Sequence, residues 1–281
     1  MTAERTGRRK AAGASAGARG AGAAAQMRTA ALGCVASLLL AVAFVAAGFA
    51  AVAVPDVATV ALASEFSGAS NPSTPFSKDE LVQMAIAGKH YTFDSNDPNE
   101  LYEAELAINR SAQAAGRAAH GAPDLDGVAD AADMKAAGER ANEAYVLPAD
   151  AVSHLDDVYR VVAIAKPVIA VLAALAVATA ALLARSAGKR ALGRALTAAG
   201  GVVLAAFACA LLWAFADFYG FFAAFHSLFF KAGTWTFSAK SLLITMYPTD
   251  FWMGMGGVWL AVTCVLSALS LVVGSKLRRS R

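Results

Sequence analysis

Residues 225–252 read FHSLFFKAGTWTFSAKSLLITMYPTDFW, an aromatic-rich stretch between two long apolar segments. Aromatic side chains at this density are typical of a membrane–water interface. His226 is the single histidine of the stretch and stands among phenylalanines. Holding an ionisable group at an apolar boundary costs free energy. His226 is therefore either a functional residue or an amphipathic anchor of the aromatic belt.

The composition predicts an integral membrane protein. Of the 281 residues, 58% are hydrophobic and only 16% are charged, which is too apolar for a soluble domain of this size. The three cysteines lie in three different apolar segments and form no C-x-x-C motif. A disulfide scaffold, a thiol-redox site and a zinc cluster are therefore not expected.

Four apolar segments are long enough to cross a membrane as helices, and they cover residues 29–54, 158–184, 195–218 and 253–273. We therefore expect an all-α membrane protein with four transmembrane helices. A cleaved signal peptide is the alternative for the first segment. The length of that segment and Pro55 after it favour a retained helix.

Basic residues cluster in three places, which are residues 1–28, 185–194 and 274–281. Because positive charge accumulates on the cytoplasmic side, both termini are predicted to be cytoplasmic. Residues 1–28 and 274–281 are then basic tails, the first of them disordered. The segments 55–157 and 219–252 lie outside the cytoplasm, the second as an aromatic interfacial loop.

The first outer segment is acidic, with 18 Asp and Glu against 6 Lys and Arg in residues 56–157. Ser77 and Glu80 form the S-x-x-E pattern of a capped helix start. A second helix is predicted over residues 98–119. Residues 120–143 show no strong period and predict a loop or a weak helix.

A second histidine lies where this acidic segment meets the second apolar segment. His154 has Asp150 four residues before it and Asp157 three residues after it, which places both carboxylates on its face of a helix. An acid there would orient the imidazole and raise its basicity. The alternative is a solvated helix start with acids at its positive end. Lys166, less than two turns beyond Arg160, either snorkels to the headgroups or serves the site as a donor.

The predicted topology places His154 and His226 at a similar depth near the outer surface. Gly220 is expected to let the third apolar helix bend, so that residues 221–230 lie along the interface. Two histidines at a lipid boundary, with carboxylates beside one of them, suffice for general acid–base chemistry. The substrate would be an ester or amine held by its lipid tails.

His226 belongs to the pattern Phe225-His226-x-x-Phe229-Phe230-x-x-Gly233-x-Trp235-x-Phe237, and His154 to His154-x-x-Asp157-Val158. In this order and topology the two motifs resemble those of the lipoprotein intramolecular transacylases, a family of small four-helix bacterial membrane proteins. The resemblance covers residues 147–273 well, and the first span and residues 76–93 loosely. Residues 94–144 look like an insertion, expected to be an accessory cover without a core of its own.

The resemblance implies an acyl transfer on membrane-anchored lipoproteins in the bacterial cell membrane. An acyl chain leaves the diacylglyceryl group on the N-terminal cysteine of the lipoprotein and moves to the α-amino group of that cysteine. The family's two essential histidines would correspond to His154 and His226, and its acid to Asp157. Supporting residues would be Asp150, Phe225, Phe229, Phe230 and Trp235. The implied partners are diacylated lipoproteins and membrane lipid, with no cofactor, metal ion or nucleic acid.

Two mechanisms are open within this interpretation. In the first, the substrate amine attacks, His154 is the base because Asp157 makes it more basic, and His226 delivers the proton or steadies the oxyanion. The opposite assignment of the two histidines is equally compatible with the sequence. The second mechanism is an acyl-enzyme on Ser153 or Ser227, although adjacent helix residues point to different faces.

Two other functions are open as well. One is a non-enzymatic membrane scaffold or interaction protein. The other is a metal-dependent membrane hydrolase, for which His154, His226, Asp150 and Asp157 are barely enough ligands.

The charge asymmetry predicts that residues 121 and 188 lie on opposite sides of the membrane. We expect a phosphatase fused at Gly121 to be active, because that enzyme folds only outside the cytoplasm, and one fused at Gly188 to be inactive. Equal activity at both positions would contradict the topology and the shared depth of the two histidines.

Overall fold

The computed structural model describes residues 2–280, with side chains from residue 22 onward. Every regular element in this range is helical and no strand occurs in it, which confirms the all-α prediction. The helices of this range are α1 (Thr2–Ala53), α2 (Asp56–Phe66), α3 (Lys78–His90), α4 (Pro98–Ala114), α5 (Ala131–Gly138), α6 (Ala149–Ala216), α7 (Phe218–Ser227), α8 (Leu242–Met246) and α9 (Thr249–Arg279). A π-helical turn, Tyr91–Ser95, follows α3.

Three of the described helices are long and apolar enough to cross a membrane: α1 from Gly22, α6 and α9. Helix α6 has 68 residues and is interrupted at Gly188, so its two parts are about 60 Å and about 40 Å long at 1.5 Å per residue. Gly188 breaks this helix because its φ is 77°. Only glycine adopts such a positive φ freely. The other residues of the loop predicted at 185–194 are therefore helical, and Gly188 alone interrupts the helix.

The basic N-terminal segment differs from the prediction in its last part. Helix α1 spans Thr2–Ala53, and residues 22–28 of the tail expected to be disordered are helical, whereas residues 1–21 of that prediction lie outside the part of the chain with described side chains. Alanine and arginine have high helix propensities. Extending an existing apolar helix also avoids the cost of a new helix nucleus.

The chain folds into two compact units. The first contains α1 up to Val45, residues 170–206 and the chain from Cys264 onward. In this unit glycines bring α6 and α9 together. A Cβ added to Gly200 would lie 2.6 Å from the Ser267 carbonyl oxygen. Small residues at helix contacts are typical of membrane bundles because they allow close backbone approach.

The second unit contains Ala46–Ile169 and Phe207–Thr263. The predicted capping box is confirmed, because Ser77 Oγ accepts from the Glu80 amide and the Glu80 carboxylate accepts from the Ser77 amide. Arg117 donates to both carboxylate oxygens of Glu80 at 2.7 Å. This pairing lowers the pKa of Glu80 to about 2. Helix α4 ends at Ala114, earlier than predicted.

One hydrophobic core fills the second unit and includes the segment 94–144. Leu101, Ile108 and Met134 are fully buried in the same cluster as residues of α3, α6, α8 and α9. The segment was expected to lack a core of its own, and its buried side chains belong to the common core of the unit. Its few large apolar residues lie on one face of α4 and on α5. These side chains are enough to anchor the segment in the common core.

The start of α6 is fixed to the π-helical turn by two side chains. The Asp156 carboxylate accepts hydrogen bonds from the buried Tyr91 hydroxyl and from the Asn96 amide, the latter at 3.1 Å. Farther along α6, Lys166 donates to the carbonyl of Phe93. The Lys166 ammonium group therefore binds the π-helical turn and does not act as a donor toward either histidine.

Glu105 is a buried acid at the centre of this unit, only 1% exposed. Its Oε1 accepts from the amide of Leu147 at 2.6 Å, just before α6 begins. Burial raises the pKa of Glu105 to about 8. The side chain is therefore mostly protonated at neutral pH, because no cation among the described side chains offsets the cost of burying its charged form.

The raised pKa of Glu105 predicts a pH-dependent stability. The folded protein keeps a proton that the unfolded chain releases near pH 4.5, so the free energy of unfolding falls as pH rises from about 4.5 to about 8. Glu105→Gln resembles the protonated acid and should flatten this fall and raise the Tm at pH 8. Thermal unfolding in detergent between pH 5 and 8 measures the pH dependence of the Tm. The control is Glu103→Gln, which changes an exposed acid on the same helix. An unchanged pH profile in Glu105→Gln would contradict the assignment.

Candidate active site

Helix α7, which carries His226, begins at a side-chain cap. Asp217 Oδ1 accepts from the Gly220 amide at 2.8 Å, and Asp217 itself is the non-helical residue between α6 and α7. The bend predicted at Gly220 therefore occurs at Asp217, because an aspartate cap satisfies the free amides of a new helix. The predicted aromatic loop 219–252 is correspondingly helical in part, with α7, α8 and the start of α9.

His226 has a defined tautomer. Its Nδ1 lies 2.9 Å from the carbonyl oxygen of Phe222, one turn earlier on α7. A carbonyl oxygen can only accept, so Nδ1 carries the hydrogen and Nε2 presents its lone pair. Burial lowers the pKa of His226, and the hydrogen bond to Phe222 offsets part of this effect. The arrangement is a neutral imidazole with Nε2 available as a base.

His154 lies in the first turns of α6, ahead of the apolar part that starts at Val161. Burial lowers the pKa of His154 to about 4, and the neighbouring His226 adds to this effect. Asp157 acts in the opposite direction and raises the pKa of this imidazole, as expected, but burial and His226 outweigh its effect. Nδ1 of His154 is buried and has no hydrogen-bond partner among the described residues.

The two histidines lie ring against ring. Their centroids are 6.4 Å apart with planes inclined by 25°. Phe230 packs against both rings, with centroid distances of 5.0 Å to His154 and 5.7 Å to His226. Trp235 lies 4.7 Å from His226, and Phe237 lies 5.6 Å from His154. We call these five side chains the ring cluster.

The two acids predicted to serve His154 have other partners. Asp157 accepts from Arg160 at 2.7 Å, three residues along α6. Asp150 accepts from the amide of Ala151 at 2.9 Å. Neither carboxylate hydrogen-bonds the imidazole, so rings and not carboxylates hold His154 in place.

Phe225 and Phe229 extend the ring cluster toward the surface. Phe225 lies edge-on to His226 with centroids 5.9 Å apart, and Phe229 lies 6.1 Å from Phe230. Phe222 was not predicted, although its ring is 4.0 Å from His226. Its spacing of four residues from His226 would have identified it if α7 had been predicted as a helix.

Among the described side chains, no three His, Cys, Asp or Glu are grouped so that they could hold a metal ion. His154 and His226 approach each other, but Asp150 and Asp157 point their carboxylates to other partners. The alternative of a metal-dependent hydrolase therefore has no ligand set in this part of the chain.

Residues 133–252 match the model of a family described as lipoprotein intramolecular transacylase Lit. This segment contains both histidines and the whole ring cluster. The resemblance that the two histidine motifs predict is confirmed over these residues. The family is one of acyltransferases. No curated protein sequence matches this chain.

The fold is similar to solved structures of the membrane-integral lipoprotein intramolecular transacylase Lit from Bacillus cereus. One of them aligns with a TM-score of 0.64 and 17% identity, covering 90% of this chain and 96% of that chain. A variant of that protein, with a histidine replaced by arginine, aligns with a TM-score of 0.64 and 15% identity, covering 92% of this chain and 96% of that chain. Identity at this level shows the fold alone. Together with the three apolar helices, it supports a membrane location.

The contact between the two imidazoles predicts that their protonation is coupled. His226→Ala removes a neighbouring charge and part of the burial, so the pKa of His154 should rise from about 4. It should stay below 6.5 because most of the desolvation remains. NMR titration of ring-labelled histidine in detergent micelles measures the pKa of His154. The control is His120→Ala, which removes an exposed histidine. A lower or unchanged pKa of His154 would show that the rings do not interact.

Proposed function

We propose that this protein is a lipoprotein intramolecular transacylase that uses His154 and His226 for acid–base catalysis. The carrying observation is the pair of imidazoles with centroids 6.4 Å apart inside an aromatic cluster. That cluster falls within the residues that match the transacylase family. The substrate is a diacylated lipoprotein, and no cofactor takes part.

The proposed topology has four spans: α1, the parts of α6 on either side of Gly188, and α9. Both termini are cytoplasmic, and the ring cluster lies at the outer leaflet. The three basic clusters of the sequence and the break at Gly188 support this arrangement. Exposed apolar side chains on and after α7, including Tyr219 and Leu228, are suited to contact with lipid.

In the proposed reaction the neutral α-amine of the substrate cysteine attacks an ester carbonyl of its own diacylglyceryl group. A nitrogen–carbon bond forms, and the π electrons of the carbonyl move to its oxygen. When the carbonyl re-forms, the bond from carbon to the glycerol oxygen breaks. The nitrogen loses one proton and the glycerol oxygen gains one. Because amine and ester belong to one molecule, positioning them removes much of the entropic barrier.

His226 is the proposed base. Its Nε2 takes the proton from the attacking nitrogen and passes it to the departing glycerol oxygen, while Nδ1 stays bonded to Phe222. Lowered pKa values keep both imidazoles neutral before the reaction. His154 stacks on His226 and assists the transfer as the second proton-transfer group. This assignment reverses the roles expected from the sequence, because Asp157 is paired with Arg160.

An acyl-enzyme on a serine gains no support from the contacts. Ser227 Oγ donates to the carbonyl of Ala224 at 2.7 Å, its helix neighbour. Ser153 is exposed and adjacent to His154 on α6. Neither hydroxyl is hydrogen-bonded to a histidine, as an activated nucleophile would be.

We expect His154→Ala and His226→Ala each to lose at least about 100-fold in activity, the usual scale for a proton-transfer group. Ser153→Ala and Ser227→Ala serve as matched controls and should retain most activity. Mass spectrometry of lipoprotein N-terminal peptides, from cells that express each variant, measures the lyso-form product. Full activity of the double histidine variant would overturn acid–base catalysis by the two histidines, and absence of the lyso-form product with the wild type would favour the scaffold alternative. A covalent acyl group on either serine would replace the proposed mechanism with an acyl-enzyme.

A further inference from the structure

We propose that the indole N–H of Trp235 binds the carbonyl oxygen of the reacting ester and stabilises the oxyanion that forms on it. This inference deepens the proposed transacylase function and rests on it. It assigns Trp235 a catalytic role, whereas the family resemblance places it only among supporting aromatics.

The first observation is a buried donor without an acceptor. Trp235 Nε1 is shielded from solvent and has no hydrogen-bond partner among the described residues. A tryptophan N–H that is buried in a folded protein usually finds a partner, because an unmade hydrogen bond there costs free energy. An acceptor supplied by the substrate would remove this cost only when the ester is bound.

The second observation is the position of the indole. Its centroid lies 4.7 Å from that of His226, with planes inclined by 35°, and 6.3 Å from that of Phe222. The same two residues make the hydrogen bond that leaves Nε2 of His226 free. An ester carbonyl bound at the indole therefore has its carbon beside the proposed base.

The chemistry of the indole separates its role from those of the histidines. An indole N–H only donates, and it does not ionise in the physiological range. It therefore cannot take the proton of the amine, and its donor capacity does not vary with pH. A fixed donor in a site shielded from water is the kind of group that stabilises a developing oxyanion most strongly.

In the proposed complex the acyl chain takes the place of the Phe230 ring. Phe230 packs against both histidines and lies, like Trp235, in residues 228–241, which form turns and no regular helix. An acyl chain is as apolar as the phenyl ring that it replaces. Replacement of the phenyl ring by the acyl chain therefore exposes the indole N–H and the imidazole nitrogens to the ester and not to water.

In the reaction step, attack of the amine nitrogen moves the π pair of the carbonyl onto its oxygen, where the indole hydrogen bond strengthens. Collapse of this oxyanion re-forms the carbonyl and expels the glycerol oxygen. The proton travels from nitrogen to glycerol oxygen through His226. The indole keeps its hydrogen throughout, so atoms and charge balance without another reactant.

Trp235→Phe tests the inference in the full-length protein, reconstituted in phosphatidylglycerol vesicles with a synthetic diacylglyceryl-cysteinyl lipopeptide. We expect kcat to fall at least about 100-fold, as for removal of one oxyanion donor, with KM changed less than about threefold. Trp252→Phe, which loses an indole outside the ring cluster, is the matched control and should keep the wild-type rate. The pH profile of kcat should keep its shape in Trp235→Phe, because the indole does not titrate.

A second variant guards against loss of packing. Incorporation of 3-benzothienylalanine at position 235 replaces the N–H by sulfur in a ring of nearly the same shape. It should keep the Tm of the wild type and show the same loss of kcat. Wild-type kcat in this variant, or a loss confined to KM, would overturn the role of Trp235.

The same assay separates this inference from the proposed function. If the wild-type protein forms no lyso-form lipopeptide, the transacylase proposal fails and the role of Trp235 fails with it. If the wild type forms the product and both Trp235 variants do so at the same rate, only the role of Trp235 is overturned.

Discussion

The cost of burying a charged imidazole is the constraint on which the candidate site depends. Packing His154 and His226 among aromatic rings disfavours their protonated forms, and each positive charge would further disfavour the other. The pair is therefore held neutral. A neutral imidazole can both accept and donate a proton, which a reaction that moves one proton from nitrogen to oxygen requires.

Backbone geometry then determines which ring nitrogen of His226 carries the hydrogen and which presents a lone pair. The carbonyl of Phe222 holds the hydrogen of His226 on Nδ1, and Phe222 has this position because Asp217 caps the start of α7. A side-chain cap at the start of a short helix thus determines the tautomer of a histidine more than two turns later. No equivalent partner among the described residues fixes Nδ1 of His154, so both tautomers are open to it.

The soluble-like part of the second unit serves to hold the start of α6. The core around Leu101, Ile108 and Met134 packs against this region, and Asp156 ties it to Tyr91 and Asn96 of the π-helical turn and its cap. Glu105 accepts from the Leu147 amide immediately before the helix. These contacts surround His154 without touching it. The polar segment is therefore packed into the same core as the helix start that carries His154.

The sequence by itself determined the class of the fold, the long apolar helices, the capping box at Ser77 and the identity of the two histidines. These follow from local hydropathy, spacing and side-chain type, which do not need a partner elsewhere in the chain. Only the tertiary structure decided the break at Asp217, the approach of the two histidines, the burial of residues 94–144 and the neutral state of the imidazoles. Each of these depends on which competing partner is nearer and on how much water is excluded, and neither quantity is written in the order of the residues.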